Sequence, residues 1–120
     1  MDAPAAEPDC LFCRIVAGQV PADVVRASER TLAFRDVVPQ APTHVLVVTR
    51  EHYPDAAALA AADPELAGIL LREAAQAASD QGVALTGYRI VLNTGTQGGQ
   101  TVGHVHAHVL GGRPMSWPPG

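Results

Sequence analysis

The sequence predicts one α+β domain: an antiparallel sheet with a long helix between its strands, rather than a parallel βαβ sheet. Three observations carry that prediction. Short β-branched segments come in hairpin-like pairs, and one long stretch carries apolar residues at helical spacing. A length of 120 residues with 48% hydrophobic composition fits a single core.

In chain order, residues 1–9 are acidic and proline-bearing and read as a flexible tail ahead of a domain over 10–120. Such a start lacks the basic-then-apolar opening of a secretory signal. Residues 24–28 and 31–36 read as two strands around Glu29-Arg30, and residues 44–49, after Pro42, as a third. The Ala-rich stretch 54–62 predicts a short helix. Asp63-Pro64-Glu65 then combines a capping side chain, proline at the first helical position and acid in the first turn. Leu66, Ile69, Leu70, Ala74 and Ala77 follow at helical spacing until Gly82, so this is the long helix. Residues 88–93 and 104–110 read as two further strands joined by a Gly-rich loop.

Composition excludes several functions. The formal net charge is −4, and all eight basic residues are arginine. An acidic chain lacks the clustered positive charge that nucleic-acid binding requires. Without lysine there is no Schiff-base nucleophile and no Walker phosphate loop. No apolar run approaches the ~20 residues of a membrane helix. The expectation is a cytoplasmic protein with neither nucleic acid nor membrane as partner.

Three of the five histidines fall in His104-Val105-His106-Ala107-His108-Val109-Leu110. A strand alternates its faces, so His104, His106 and His108 are predicted on one face, with Val105, Ala107 and Val109 on the other. A polar surface stripe is one reading. The chemical readings are a hydrolytic metal site and an imidazole nucleophile attacking phosphorus. The latter needs a holder for phosphate oxygens, and the loop over 93–103, with four glycines among Asn, Gln and Thr side chains, offers one. Cys10 and Cys13 form a C-x-x-C that is open to three readings: a redox dithiol, half of a zinc site, or two core thiols. No strand precedes Cys10, as a thioredoxin-like motif would require.

The His-x-His-x-His-x-x run, with apolar residues between the histidines, resembles the signature of the histidine triad superfamily. Phe34-Arg35-Asp36 through Thr43-His44, the loop Gly98-Gly99-Gln100-Thr101 and the ending through Arg113-Pro114 and Trp117-Pro118-Pro119-Gly120 resemble its nucleotide-binding branch. The similarity spans residues 10–120. It implies a homodimer whose five-stranded sheets join into one, each protomer with a purine nucleotide site and no catalytic metal. It implies hydrolysis of a purine nucleoside 5′-phosphoramidate through a nucleotidyl-histidine intermediate. Related alternatives are a dinucleoside polyphosphate hydrolase and a nucleotide-binding regulatory protein with vestigial hydrolysis.

By the same resemblance His106 is the nucleophile, with His108, His44 and Thr101 in the catalytic group. Asp36 matches the carboxylate that accepts the ribose hydroxyls. Asn93, Gly99, Gln100 and Thr101 lie on the phosphate side, and Phe12, Ile15, Val20, Phe34 and Val37 line the purine pocket. The resemblance also implies structural zinc held by Cys10, Cys13, His52 and His104. Two departures stand out: Gly103 where this branch commonly has Tyr, and Thr101 where Ser is usual.

Overall fold

The computed structural model describes residues 6–120; residues 1–5, the greater part of the expected tail, lie outside the described residues. The elements are α1 (Leu11–Val16), β1 (Val24–Ala27), β2 (Thr31–Arg35), β3 (Thr43–Thr49), α2 (Ala56–Ala62), α3 (Pro64–Asp80), β4 (Tyr88–Val91) and β5 (His106–Gly111). The strands form one five-stranded sheet in the order β1-β2-β3-β5-β4, every neighbouring pair antiparallel. The predicted α+β class with one long helix stands.

Two corrections accompany it. There are two short helices rather than one, because the C-x-x-C segment itself folds as α1. Cys10 caps that helix, its Sγ accepting the Cys13 N–H at 3.3 Å. Six residues are too few to show a 3.6-residue period, which is why the pattern passed unseen. The last strand starts at His106, so His104 lies outside it, in the irregular approach to β5.

Local chemistry explains the long helix. Asp63 Oδ1 accepts the Leu66 N–H at 3.0 Å, with Pro64 in the first turn. The same carboxylate pairs through Oδ2 with Arg30 at 2.7 Å, and Arg30 also reaches Glu51 at 2.7 Å. These two carboxylates hold the Arg30 guanidinium well above its ordinary pKa. The network ties the β1–β2 turn, the loop after β3 and the start of α3 together. At the far end Gly82 takes a positive φ of 79°, a conformation that suits glycine, and the chain leaves the helix.

Strand alternation sorts the sheet into two faces. Ala33, Val45, Val47, Ala107 and Val109 pack with Leu59, Leu66, Leu70 and Ala77 in the larger core beneath α2 and α3. Leu32, Phe34, Leu46 and Val48 face the other way and pack with Phe12 of α1. His44 follows the second set, because it precedes Leu46 by two positions on β3. The register pairs Leu46 with His108 and Val48 with His106, which places those two histidines on the same face.

Candidate active site and metal centre

The main chain decides which nitrogen of each imidazole carries a proton. On β5, the His106 ring lies 2.7 Å through Nδ1 from the His104 carbonyl. A carbonyl only accepts, so Nδ1 is protonated and Nε2 presents a bare lone pair. On β3, His44 Nδ1 accepts the Gln40 N–H at 3.0 Å, which leaves the proton on Nε2. That Nε2–H donates to His108 Nδ1 at 2.9 Å, so His108 in turn carries its proton on Nε2. Asp36 Oδ2 stands 3.4 Å from His44 Nε2, while its Oδ1 accepts the Val38 N–H at 2.9 Å.

These rings are substantially removed from water. Burial pushes His108 down to about 4, reinforced by the neighbouring His106 and His44 and opposed by Asp36. Burial also lowers His44, against the opposing pull of Asp36. Both are therefore neutral at pH 7, consistent with the donor and acceptor roles above. Asp36, His44 and His108 lie close enough together to suggest a cation site. The proton on His44 Nε2 argues against one, since a metal ligand must offer a lone pair there.

A cavity of about 240 Å³ opens beside the rings. Of the residues singled out in the sequence, Phe12, Ile15, Phe34, Asp36, Val37, Thr101, His106 and His108 line it. His44 stands behind His108, in contact through the hydrogen bond. Val20, Asn93, Gly99 and Gln100 are not among its lining residues. The Gln100 side chain is occupied within its own loop: Oε1 accepts the Gly95 N–H at 3.0 Å, and Nε2 donates to the Pro54 and Val102 carbonyls at 2.7 and 3.0 Å. Gln100 thus staples the Gly-rich loop to the segment before α2. Gly99, with φ of 81°, turns the chain there.

Sequence reasoning missed Leu11, Pro21, Ala22, Arg35, Leu46 and Val102, which complete the wall. Leu46 was within reach, since it alternates with Val45 and Val47 along β3. Leu11 was not, because its position depends on α1. Phe12 packs edge-on against His106, with centroids 5.0 Å apart, and against Phe34 at 5.6 Å.

A second cluster lies directly upstream. Cys10, Cys13, His52 and His104 bring one ligand atom each to within 4.8 Å of one another, so they could hold a metal ion. His104 Nδ1 is 3.3 Å from Cys10 Sγ, 3.5 Å from Cys13 Sγ and 3.1 Å from His52 Nδ1. Cys13 Sγ is 3.3 Å from His52 Nδ1. His104 Nε2–H donates to the Thr49 carbonyl at 2.7 Å, which leaves Nδ1 as a bare lone pair facing the other three donors. Tetrahedral zinc with bonds of ~2.0 Å to nitrogen and ~2.3 Å to sulfur separates its ligands by roughly 3.3–3.8 Å. The observed spacings of 3.1–3.5 Å lie within or just short of that range, and with the two-sulfur, two-nitrogen donor set they suit such an ion. Burial lowers His104 to about 4, partly offset by the bond to Thr49.

Comparison with known proteins agrees with this geometry. The HIT domain family matches residues 17–115. An uncharacterized HIT-like protein of Synechocystis sp. is 45% identical over 112 residues, covering 93% of this chain and 97% of that protein. The purine nucleoside phosphoramidase of Escherichia coli is 38% identical over 107 residues, 89% of this chain and 90% of its own. The crystal structure of a HIT family hydrolase from Legionella pneumophila has a TM-score of 0.89 at 46% identity, covering 93% of this chain and all 100% of that one. A histidine triad protein from Clostridium difficile also has a TM-score of 0.89, at 34% identity, covering 93% and 97%. With a match over most of its length and a fold shared at this level, the chain belongs to the histidine triad, or HIT domain, family.

Proposed function

We propose that the protein is a hydrolase of purine nucleoside 5′-phosphoramidates, with His106 as the nucleophile. The observation that carries the proposal is the 2.7 Å bond from His106 Nδ1–H to the His104 carbonyl. It orients a neutral imidazole with Nε2 free, in the wall of a cavity that is mostly apolar. Nε2 attacks the α-phosphorus, forming a P–N bond to His106 as the bond to the leaving amine breaks. The His108 Nε2–H is the proton closest to hand for the phosphate oxygens or the departing nitrogen, and His44 holds His108 in that tautomer. Water then hydrolyses the nucleotidyl-histidine and releases the monophosphate. No step needs a catalytic metal.

The purine is assigned to the wall formed by Phe12, Ile15, Phe34 and Val37, and the ribose hydroxyls to Asp36. Thr101, on the same wall, offers a hydroxyl on the phosphate side. Asn93, Gly99 and Gln100 serve that side through the shape of the loop, and Val20, outside the lining, has no direct contact in this reading. In this reading zinc occupies the set of two cysteines and two histidines and fixes α1 against the approach to β5. Bound there, it would supply a structural cross-link only. A homodimer that joins two sheets is part of the proposal.

No helix among the described residues is long and apolar enough to cross a membrane. A pair of cysteines that ligates zinc rather than forming a disulfide suits the reducing conditions of the cytoplasm. The E. coli relative's substrate class, purine nucleoside phosphoramidates, supports the choice of substrate here.

Mass spectrometry of enzyme quenched during turnover of adenosine phosphoramidate tests the mechanism. The expected product is a peptide carrying one adenylyl group on His106. Turnover without any adenylylated peptide overturns the mechanism. Faster turnover of a diadenosine polyphosphate moves the substrate assignment to that class.

A further inference from the structure

A second cleft, of about 430 Å³, opens on the metal cluster from outside the nucleotide cavity. Cys10 and His52 lie in its lining, Glu7 and Asp9 add two carboxylates, and Gly103 forms part of its wall. The other two members of the ligand set are closed off: Cys13 is 5% exposed and His104 is 0% exposed. Access to the four donor atoms is therefore one-sided, through the half-buried Cys10 and His52. Gly103 matters here because it leaves room. A Cβ built on it meets nothing within 4 Å, and its φ is not in the left-handed region, so any side chain there would project into open space beside the cleft.

We infer that this cleft is a port through which a divalent cation reaches and leaves the metal centre of the folded protein. The inference rests on the zinc reading of the cluster. Glu7 and Asp9, both exposed, attract the cation towards the cleft by long-range charge, an effect that raises association and fades with salt. Cys10 and His52 then receive it first, and Cys13 and His104 complete the tetrahedron behind them. The port is separate from the substrate route, although Leu11, Thr101 and Val102 line both cavities. Metal can therefore exchange without unfolding α1.

The test is the exchange of bound zinc for isotopically enriched zinc, read by native mass spectrometry, together with removal by a chromophoric chelator. The wild-type protein is compared with Gly103→Ala, Gly103→Phe and the double variant Glu7→Gln/Asp9→Asn. Gly103→Ala keeps the cleft open and exchanges at the wild-type rate. Gly103→Phe slows uptake and removal by the same factor, about tenfold if the ring must be displaced at a cost of ~1.4 kcal/mol, and leaves the affinity unchanged. The carboxylate variant takes up zinc several-fold more slowly, with a flatter salt dependence. Wild-type exchange in Gly103→Phe overturns the port, as does weakened affinity in that variant or an unchanged salt slope in the double variant. If no form binds one zinc per chain, the zinc reading itself fails, and the port with it.

Discussion

Two imidazole clusters lie side by side, one with a donor set that could hold a metal ion and the other, in the proposed mechanism, handling protons; His104 belongs to the first and lends its carbonyl to the second. In the metal cluster, His104 Nδ1 and His52 Nδ1 face each other at 3.1 Å. In the catalytic cluster, His44 Nε2 and His108 Nδ1 face each other at 2.9 Å. The distances differ little, but the proton bookkeeping does. His104 gives its Nε2–H to the Thr49 carbonyl, so its inner nitrogen is bare. His44 receives a main-chain N–H from Gln40, so its inner nitrogen is protonated. His104 offers a bare nitrogen to a cluster that also holds two thiols and so suits a cation, whereas the His44 proton and the His108 lone pair satisfy each other. The difference teaches that the backbone group behind His104, an acceptor, and the one behind His44, a donor, suit the first ring to metal binding and the second to proton handling.

His106, held by the His104 carbonyl, gives the largest expected effect. His106→Asn keeps a side chain that can donate to the His104 carbonyl but removes the nucleophile. Turnover of a fluorogenic adenosine phosphoramidate is expected to fall by about four decades or more, while AMP still binds by calorimetry. Retention of substantial turnover would transfer the chemistry to another residue.

Chelation acts on the other cluster and separates folding from catalysis. Removing zinc unties α1 from the approach to β5, and the thermal midpoint is expected to drop by roughly 10 °C. Turnover per folded molecule falls by less than about tenfold, since the bonds of His104 Nε2–H to the Thr49 carbonyl and of the Val105 N–H to the Tyr53 carbonyl still hold the segment that carries the His104 carbonyl. A midpoint unmoved by chelator removes zinc from the account. Activity abolished by chelator and restored by zinc, at an unmoved midpoint, would make the metal catalytic.

The sequence showed the chemistry of these clusters better than their geometry. Alternation placed His104, His106 and His108 on a common face; that His44 joins them came from the resemblance and follows from the β3–β5 register. The strand stops short of His104, yet Val105 still packs in the core with Ala107 and Val109, and the His104 ring packs against Phe12 as His106 does. α1 was invisible because six residues, two of them β-branched, carry no helical signal. The role of Gln100 was misleading for a different reason. A polar side chain in a Gly-rich loop suggests a ligand contact, but three bonds to its own loop and to Pro54 claim it. The tautomer of His104 was beyond reach, since it depends on a main-chain group distant in sequence, Thr49, whereas those of His106 and His44 are set by His104 and Gln40, two and four residues away, through loop geometry that a sequence does not show. His44→Leu tests that last layer. It frees His108 Nδ1 to take either tautomer, and kcat is expected to fall about 10–100-fold with KM little changed. An equal loss in KM would mean that His44 shapes the pocket instead.

The smallest effect is on stability, and it shows what keeping the catalytic cluster neutral costs. His108 has a folded pKa of about 4 against an ordinary 6.5, so the unfolded chain binds a proton at this residue more readily than the folded one throughout that interval. Stability is therefore full above pH 6.5 and is lost as the pH falls towards 4. The ring is partly exposed, which reduces the contribution to about 1–2 kcal/mol across the window. Burial lowers His44 in the same direction, and a variant at His108 leaves that share in place. Denaturant midpoints of wild type and His108→Gln, both measured in chelator so that metal loss cancels, should draw together as the pH falls from 7 to 4.5. Parallel curves would mean that His108 binds its proton equally well in the folded and the unfolded chain, so that burial does not disfavour the charged ring. Curves that draw apart would mean that the folded protein holds a proton on His108 at neutral pH; the His44 Nε2–H would then have no lone pair to meet, and the distinction between the two clusters would disappear.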